Sequence, residues 1–167
     1  MRRLIPAYIG IGSNVGGPRQ QVEAAFEHLA RLPRTMLVAR SRLYATRPFG
    51  PVEQDDFVNA VAGVLTELSA PELLVELRAI ETARGRVRTV RWGPRVIDLD
   101  LLVHGRTRLE SAELTLPHPG IVERNFVLYP LADIAPDLDI PGQGRVAALA
   151  SRLSGDGIRV LACAGSA

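Results

Sequence analysis

In the run RWGPRVIDLDLLVHG two aspartates, Asp98 and Asp100, stand one residue apart inside an otherwise apolar stretch. Side chains alternate along a strand, so both carboxylates project from one face while Ile97, Leu99 and Leu101 share the other. Like charges at that separation repel, and burying a carboxylate without a partner costs on the order of several kcal/mol, so cationic charge has to lie close by. Arg91 and Arg95, just upstream, can neutralise the pair directly or act together with a metal ion on a polyanionic ligand.

The loop before this strand bears on that choice. ARGRVRTVRWGPR carries Arg84, Arg86, Arg88, Arg91 and Arg95 among two glycines and Pro94. Crowding guanidinium groups on flexible backbone loses entropy and adds self-repulsion, which argues for a multivalent anion that organises them. A triphosphate meets that need; the bland alternative is a solvated basic loop. The adjoining carboxylates favour the first, because magnesium sites commonly combine one or two carboxylates with phosphate oxygens and water. Two metal ions bridging an ATP chain would stabilise the attacking and leaving oxygens, with the arginines taking the remaining charge. All 20 basic residues are arginine, which excludes a Walker-type phosphate loop, a Schiff-base lysine and a kinase-type strand lysine.

A third group lies in LPHPGIVERNF. His118, framed by prolines, can be a core histidine, a metal ligand or a phosphate donor, and Arg124 and Phe126 follow at a distance that lets one reach an anion and the other a flat ring. Phe49, Phe57, Trp92 and Phe126 all fall at loops or strand ends beside these groups. Core packing is the default for any one aromatic. Together with Asn59, two residues after Phe57 and so on the same strand face, they suggest a slot for a planar heterocycle whose edge is read by an amide. No HExxH, Cys/His zinc spacing or GxSxG elbow occurs, which removes metalloprotease and serine-hydrolase readings.

The elements that must position these residues follow from periodicity. AYIGIGSN reads as a strand, and Val22, Ala25, Phe26, Leu29 and Leu32 then recur at helical spacing until Pro33. The GIGSNVGG glycines miss the dinucleotide spacing, and Gly12, Ser13 and Asn14 are read as a tight strand-to-helix turn. TMLVARSRLYAT and FVNAVAGVLTEL read as neighbouring strands joined by the loop RPFGPVEQDD. Ser69 and Glu72 form a capping box ahead of a helix burying Leu73, Leu74, Leu77 and Ile80, which Gly85 closes. The order β-α-β-β-α-β predicts a ferredoxin-like α/β (α+β) fold, an antiparallel sheet with both helices on one face. From about residue 107 a C-terminal extension adds a short hairpin strand, the segment PHPGIVERNFVLYPLADIAPDL, a small helix VAALASRL and a last strand IRVLAC.

The 167 residues, 47% of them hydrophobic, suit one domain, 1–167, with a substantial core. Apolar runs are too short to cross a bilayer, and the single cysteine, Cys163, fits a reducing compartment, so a cytoplasmic protein without membrane attachment is expected. A net charge of +2 gives no reason to expect nucleic acid as a partner.

In order, YIGIGSN, LYATRPFGPVEQDDFVNAV, GRVRTVRWGPRVIDLDLLVHG and LTLPHPGIVERNFVLYPLADIAPDL resemble the 6-hydroxymethyl-7,8-dihydropterin pyrophosphokinases of folate synthesis across most of the chain. The resemblance implies a monomer with ATP and the pterin as its small-molecule substrates, transferring the terminal pyrophosphoryl unit to the hydroxymethyl group and releasing AMP. It implies that Asp98 and Asp100 hold two Mg²⁺ ions and that Arg86 and Arg95 assist transfer. Thr46, Phe49, Phe57, Asn59, Trp92 and Phe126 match the pterin pocket, with Phe57 and Phe126 as its walls. Glu81, Arg88, Arg91, Trp92, Arg95, Leu101, Thr115, His118 and Arg124 match nucleotide contacts, Leu101 and Thr46 contributing through backbone groups as well. Arg47, Arg78 and Glu113 depart from the pattern and carry no implied role, and the arginine loop is one residue shorter than the pattern. Two rivals remain at this stage: a Mg²⁺-dependent phosphoryl- or nucleotidyl-transferase with another acceptor, and a ferredoxin-like RNA-binding module.

Overall fold

The computed structural model describes residues 3–48, 50–51, 53–85 and 96–161. Strand β1 (Ile5–Ser13) forms where Ala7, Ile9 and Ile11 alternate into the interior. Helix α1 (Pro18–Ala30) begins with proline in its first turn and buries Val22, Ala25, Phe26 and Leu29. The turn between them differs from the expectation. Gly12 and Ser13 remain in β1, and the left-handed backbone falls at Gly16 and Gly17, with φ of 72° and 74°. Strand pairing on both sides of β1 holds its last residues extended, so the chain turns only where pairing stops.

The run expected as one strand is two, β2 (Thr35–Arg40) and β3 (Tyr44–Thr46). At the break, Ser41 Oγ takes the Val61 N–H at 2.8 Å, a side chain replacing a main-chain carbonyl in the ladder. Both segments pair with β4 (Phe57–Thr66). Helix α2 (Ala70–Ala83) carries the expected capping box: Ser69 Oγ accepts from Glu72 N at 3.2 Å, and Glu72 Oε1 accepts from Ser69 N at 3.1 Å. Strand β5 (Asp98–His104) follows.

The rest comprises hairpin β6 (Leu109–Glu110) and β7 (Thr115–Leu116), α3 (Asn125–Ile134), hairpin β8 (Asp139–Ile140) and β9 (Gly144–Arg145), α4 (Val146–Ser151) and β10 (Ile158–Val160). Helix α3 falls in a segment given no element by the sequence reading, and Pro130 inside it removes a main-chain donor. Burial of Val127, Leu128, Pro130 and Leu131 stabilises it instead.

The main sheet runs β10-β3-β4-β1-β5, with β2 also on β4, and every pair is antiparallel. Its core of β1 to β5 with α1 and α2 is the expected ferredoxin-like βαββαβ arrangement. One face packs with α1 and α2 around Ile9, Ile11, Leu29, Leu73, Leu77, Ile97, Leu99 and Leu101. The opposite face packs with α3 around Val61, Leu102, Leu128 and Leu131. No helix among the described residues is long and apolar enough to cross a membrane. Replacing the α2 cap, Ser69→Ala, should lower the unfolding free energy by about 1 kcal/mol, read as a lower urea midpoint with an unchanged slope.

Candidate active site

Register sets the site. Along one row of paired residues stand Asp98 on β5, Gly12 on β1, Asn59 on β4 and Tyr44 on β3; the next row but one holds Asp100, Gly10 and Val61. Directly opposed residues share a face. Ile97, Leu99 and Leu101 lie in the α1/α2 core, so Asp98 and Asp100 face the α3 side, as alternation required. At the strand spacing of roughly 4.8 Å, the Asp98 and Asn59 positions lie about 10 Å apart with only a glycine between them.

At the Asn59 end, the amide Nδ2 donates to Thr46 Oγ1 at 2.6 Å, which fixes which way the amide points. A β-carbon on Gly12 would stand 2.7 Å from Asn59 Oδ1 and 4.0 Å from Phe57 Cδ1. The glycine is therefore a requirement of space, since its backbone is ordinary strand. Asn14, 2% exposed, donates from Nδ2 to Gln54 Oε1 at 2.8 Å and to the Asp55 carbonyl at 2.9 Å. It ties the end of β1 to the segment that leads into Phe57.

At the acidic end, burial foremost, then the Asp98 charge, pushes the Asp100 carboxyl well above the usual carboxylate range; Glu81 adds to this, while Arg78 and Arg124 oppose it. His118 sits between the carboxylates and Arg124 in charge terms. Its Nδ1 accepts the Gly120 N–H at 3.1 Å, so the ring proton belongs on Nε2, which is then a donor. Burial, then Arg124, lowers its pKa to about 4 against the opposing Asp98 charge, leaving a neutral imidazole at physiological pH. Arg124 folds over Gly120, where a β-carbon would lie 2.6 Å from Nε, and its guanidinium stands 5.8 Å from the Phe126 ring centroid. The His118 N–H donates to the Leu102 carbonyl at 2.9 Å and so fixes this segment to β5.

Among the described residues no group of three His, Cys, Asp or Glu side chains could hold a metal by itself. Two carboxylates, both hard oxygen donors, fit an ion that shares its coordination with phosphate oxygens and water.

The structure thus brings Thr46, Phe57, Asn59, Asp98 and Asp100 to one sheet face, flanked by His118, Arg124 and Phe126. The Leu101 side chain is in the core, which leaves its backbone for any ligand, and Thr115 lies in β7 opposite Glu110. Glu81 is buried, with one oxygen on the Leu99 N–H and the other on Arg78. Arg84, from the arginine cluster, spends its guanidinium on Gln21 Oε1 of α1. Phe49, Arg86, Arg88, Arg91, Trp92 and Arg95, with Cys163, lie outside the described residues. Gly12 and Asn14 were missed as site residues. The signal for Gly12 was a glycine inside a strand pattern, which marks a close approach.

The family described as 7,8-dihydro-6-hydroxymethylpterin-pyrophosphokinase matches residues 8–136. A 2-amino-4-hydroxy-6-hydroxymethyldihydropteridine pyrophosphokinase of Pseudomonas aeruginosa is 51% identical over 80% of this chain and 83% of its own. Its counterpart in Methylorubrum extorquens is 49% identical over 82% and 87%. In fold, the chain is similar to wild-type Plasmodium falciparum HPPK-DHPS, with a TM-score of 0.68 at 15% identity, over 90% of this chain and 41% of that one.

Gly12→Ala should break the Asn59–Thr46 bond and destabilise the protein by about 1–3 kcal/mol, whereas Gly10→Ala, whose β-carbon meets Leu102 side-chain atoms at 3.4–3.7 Å, should cost less; chemical denaturation of both variants compares them. The His118 ring should titrate near pH 4 by NMR. With its folded pKa below the unfolded 6.5, its contribution to stability is complete above pH 6.5 and disappears as pH falls through 4, a dependence that His118→Gln should remove.

Proposed function

The chain belongs to the 7,8-dihydro-6-hydroxymethylpterin-pyrophosphokinase family and transfers a pyrophosphoryl group to hydroxymethyldihydropterin in folate biosynthesis; we propose that it does so from ATP held through two Mg²⁺ ions at Asp98 and Asp100, with release of AMP. The observation that carries this reading is the sheet row in which an oriented amide and a carboxylate pair share one face across a bare glycine. It supports a planar ring over Asn59 with its substituent directed toward the acidic end.

In this mechanism the pterin hydroxymethyl oxygen bonds to the β-phosphorus and loses its proton, ultimately to solvent, while the bridge to the α-phosphate breaks and AMP departs with the bridging oxygen. Bound Mg²⁺ supplies Lewis-acid polarisation and charge neutralisation along the phosphate chain. Asp98 and Asp100 hold the ions. Asn59, oriented by Thr46, reads the hydrogen-bonding edge of the ring, and Phe49, Phe57, Trp92 and Phe126 enclose it. His118, neutral and protonated on Nε2, donates to the nucleotide, and Arg124 supplies a cation from the same side. Arg88, Arg91, Trp92 and Thr115 hold the nucleotide, with backbone groups at Leu101, and Arg86 and Arg95 assist transfer. None of the described side chains is placed as an evident general base, so positioning and electrostatics carry the rate. Closing over the substrates excludes water, the competing acceptor. Residues 1–167 act as one domain in a cytoplasmic monomer.

Incubation with Mg-ATP and the reduced pterin alcohol should yield AMP and the pterin diphosphate in equal amounts; ADP in place of AMP would mean attack at the γ-phosphorus and would overturn the reading. Asp98→Ala and Asp100→Ala should each lower magnesium-dependent kcat/KM about a thousandfold or more with an unchanged circular dichroism spectrum, the effect of several kcal/mol of lost charge stabilisation.

A further inference from the structure

Among the described residues β5 ends the sheet, so the main-chain groups on its outer side face no strand. At Leu99 both are nonetheless engaged. Its N–H donates to Glu81 Oε2 at 2.8 Å, and its carbonyl accepts from Arg78 Nη1 at 3.1 Å. The same arginine nitrogen donates to Glu81 Oε1 at 2.8 Å. One turn of α2 therefore offers Leu99 an acceptor and a donor side by side, the pair that an antiparallel neighbour would offer. Leu99 is the residue between Asp98 and Asp100.

We propose that Arg78 is a positioning residue for the acidic strand: through Glu81 and the Leu99 main chain it fixes the pleat that keeps the Asp98 and Asp100 carboxylates on one face at one spacing. The inference rests on the reading of those two aspartates as the metal holders. A strand paired on one side twists easily, and two repelling carboxylates would be expected to splay it. The bracket opposes that motion from the open side. Glu81 cannot do this alone. Its side chain is 3% exposed, and without the guanidinium its carboxylate would lose the 2.8 Å ion pair that fixes Oε1 while Oε2 holds the Leu99 N–H. Arg78, 41% exposed on its side chain, reaches both partners through the one nitrogen Nη1, which the planar guanidinium holds in a fixed direction; a lysine ammonium is a point charge on a flexible stem. Glu81 thus acts on the site through Leu99, with both oxygens engaged before a nucleotide arrives.

The test uses the full chain carrying Arg78→Met, Arg78→Gln or Arg78→Lys. Mn²⁺ binding with a non-hydrolysable ATP analogue, amide hydrogen exchange at Leu99, and separate KM values for Mg-ATP and the pterin are measured. Arg78→Met should weaken Mn²⁺ binding and speed Leu99 exchange roughly tenfold each, the scale of one charge-assisted hydrogen bond, and leave the pterin KM within about twofold. Arg78→Gln and Arg78→Lys should recover part of both losses. Unchanged Mn²⁺ affinity and Leu99 exchange in Arg78→Met, even with a lower melting temperature, would overturn the proposal by reducing Arg78 to a stabilising residue. A raised KM for the nucleotide with Mn²⁺ affinity and Leu99 exchange intact would overturn it in favour of direct nucleotide contact. Failure of the metal reading is separately visible: Asp98→Ala and Asp100→Ala would then bind Mn²⁺ as the unaltered chain does, and the proposal would fall with it.

Discussion

Two carboxylates crowded on one face of β5 repel each other and resist burial, and the arrangement around them answers that constraint. Cationic groups approach from separate directions, Arg78 from α2 and Arg124 from the start of α3. The His118 imidazole, subject to the Arg124 and Asp98 charges, is kept neutral, so it adds a directed donor without adding charge that would compete with a metal ion. On the neighbouring strand the residues opposite Asp98 and Asp100 are Gly12 and Gly10. The strand beside the acids therefore carries no side chain at either position.

The two faces of the sheet divide the work. Behind it, α1 and α2 close a largely apolar core that holds β1, β4 and β5 at fixed heights. In front, α3 packs on an apolar cluster of its own and is tied down further by polar contacts. Asp133 accepts from the Arg42 side chain at 2.7 Å, from the Arg42 N–H at 3.2 Å and from the Tyr44 hydroxyl at 2.8 Å. Burial, reinforced by Asp133, raises the Tyr44 phenol to about 12, so this tie persists across the pH range in which the protein works. It anchors β3, and with it Thr46, to the helix that begins beside Arg124 and Phe126.

How much of this was legible depended on whether the determinant was local. The Asp98/Asp100 alternation, the Ser69–Glu72 cap and the shared parity of Phe57 and Asn59 are statements about a few neighbouring residues, and each appears in the structure as read. Helix α3 was hidden because Pro130 argues locally against a helix that distant β4 contacts stabilise. Gly12 looked like a turn because a glycine's freedom is visible in sequence, while the nearness of Asn59, on a strand many residues away, is not. The same limit applies to Glu81. The family resemblance implied a nucleotide contact there, but only the folded chain shows its oxygens turned toward Leu99 and Arg78.

The short strand β10 lies against β3 with Ile158 opposite Thr46, while Asn125 of α3 donates to the Ser154 and Asp156 carbonyls just before it. The stretch from Ser154 to Val160 therefore stitches together two walls of the cleft that lie far apart along the polypeptide. During synthesis the α1/α2 side can consolidate from earlier segments, but the cleft gains its final brace only after this late stretch emerges. A half-made chain can thus be well folded at its back and still lack a finished mouth, a delay that follows from loop-closure entropy and ordering by long-range contacts.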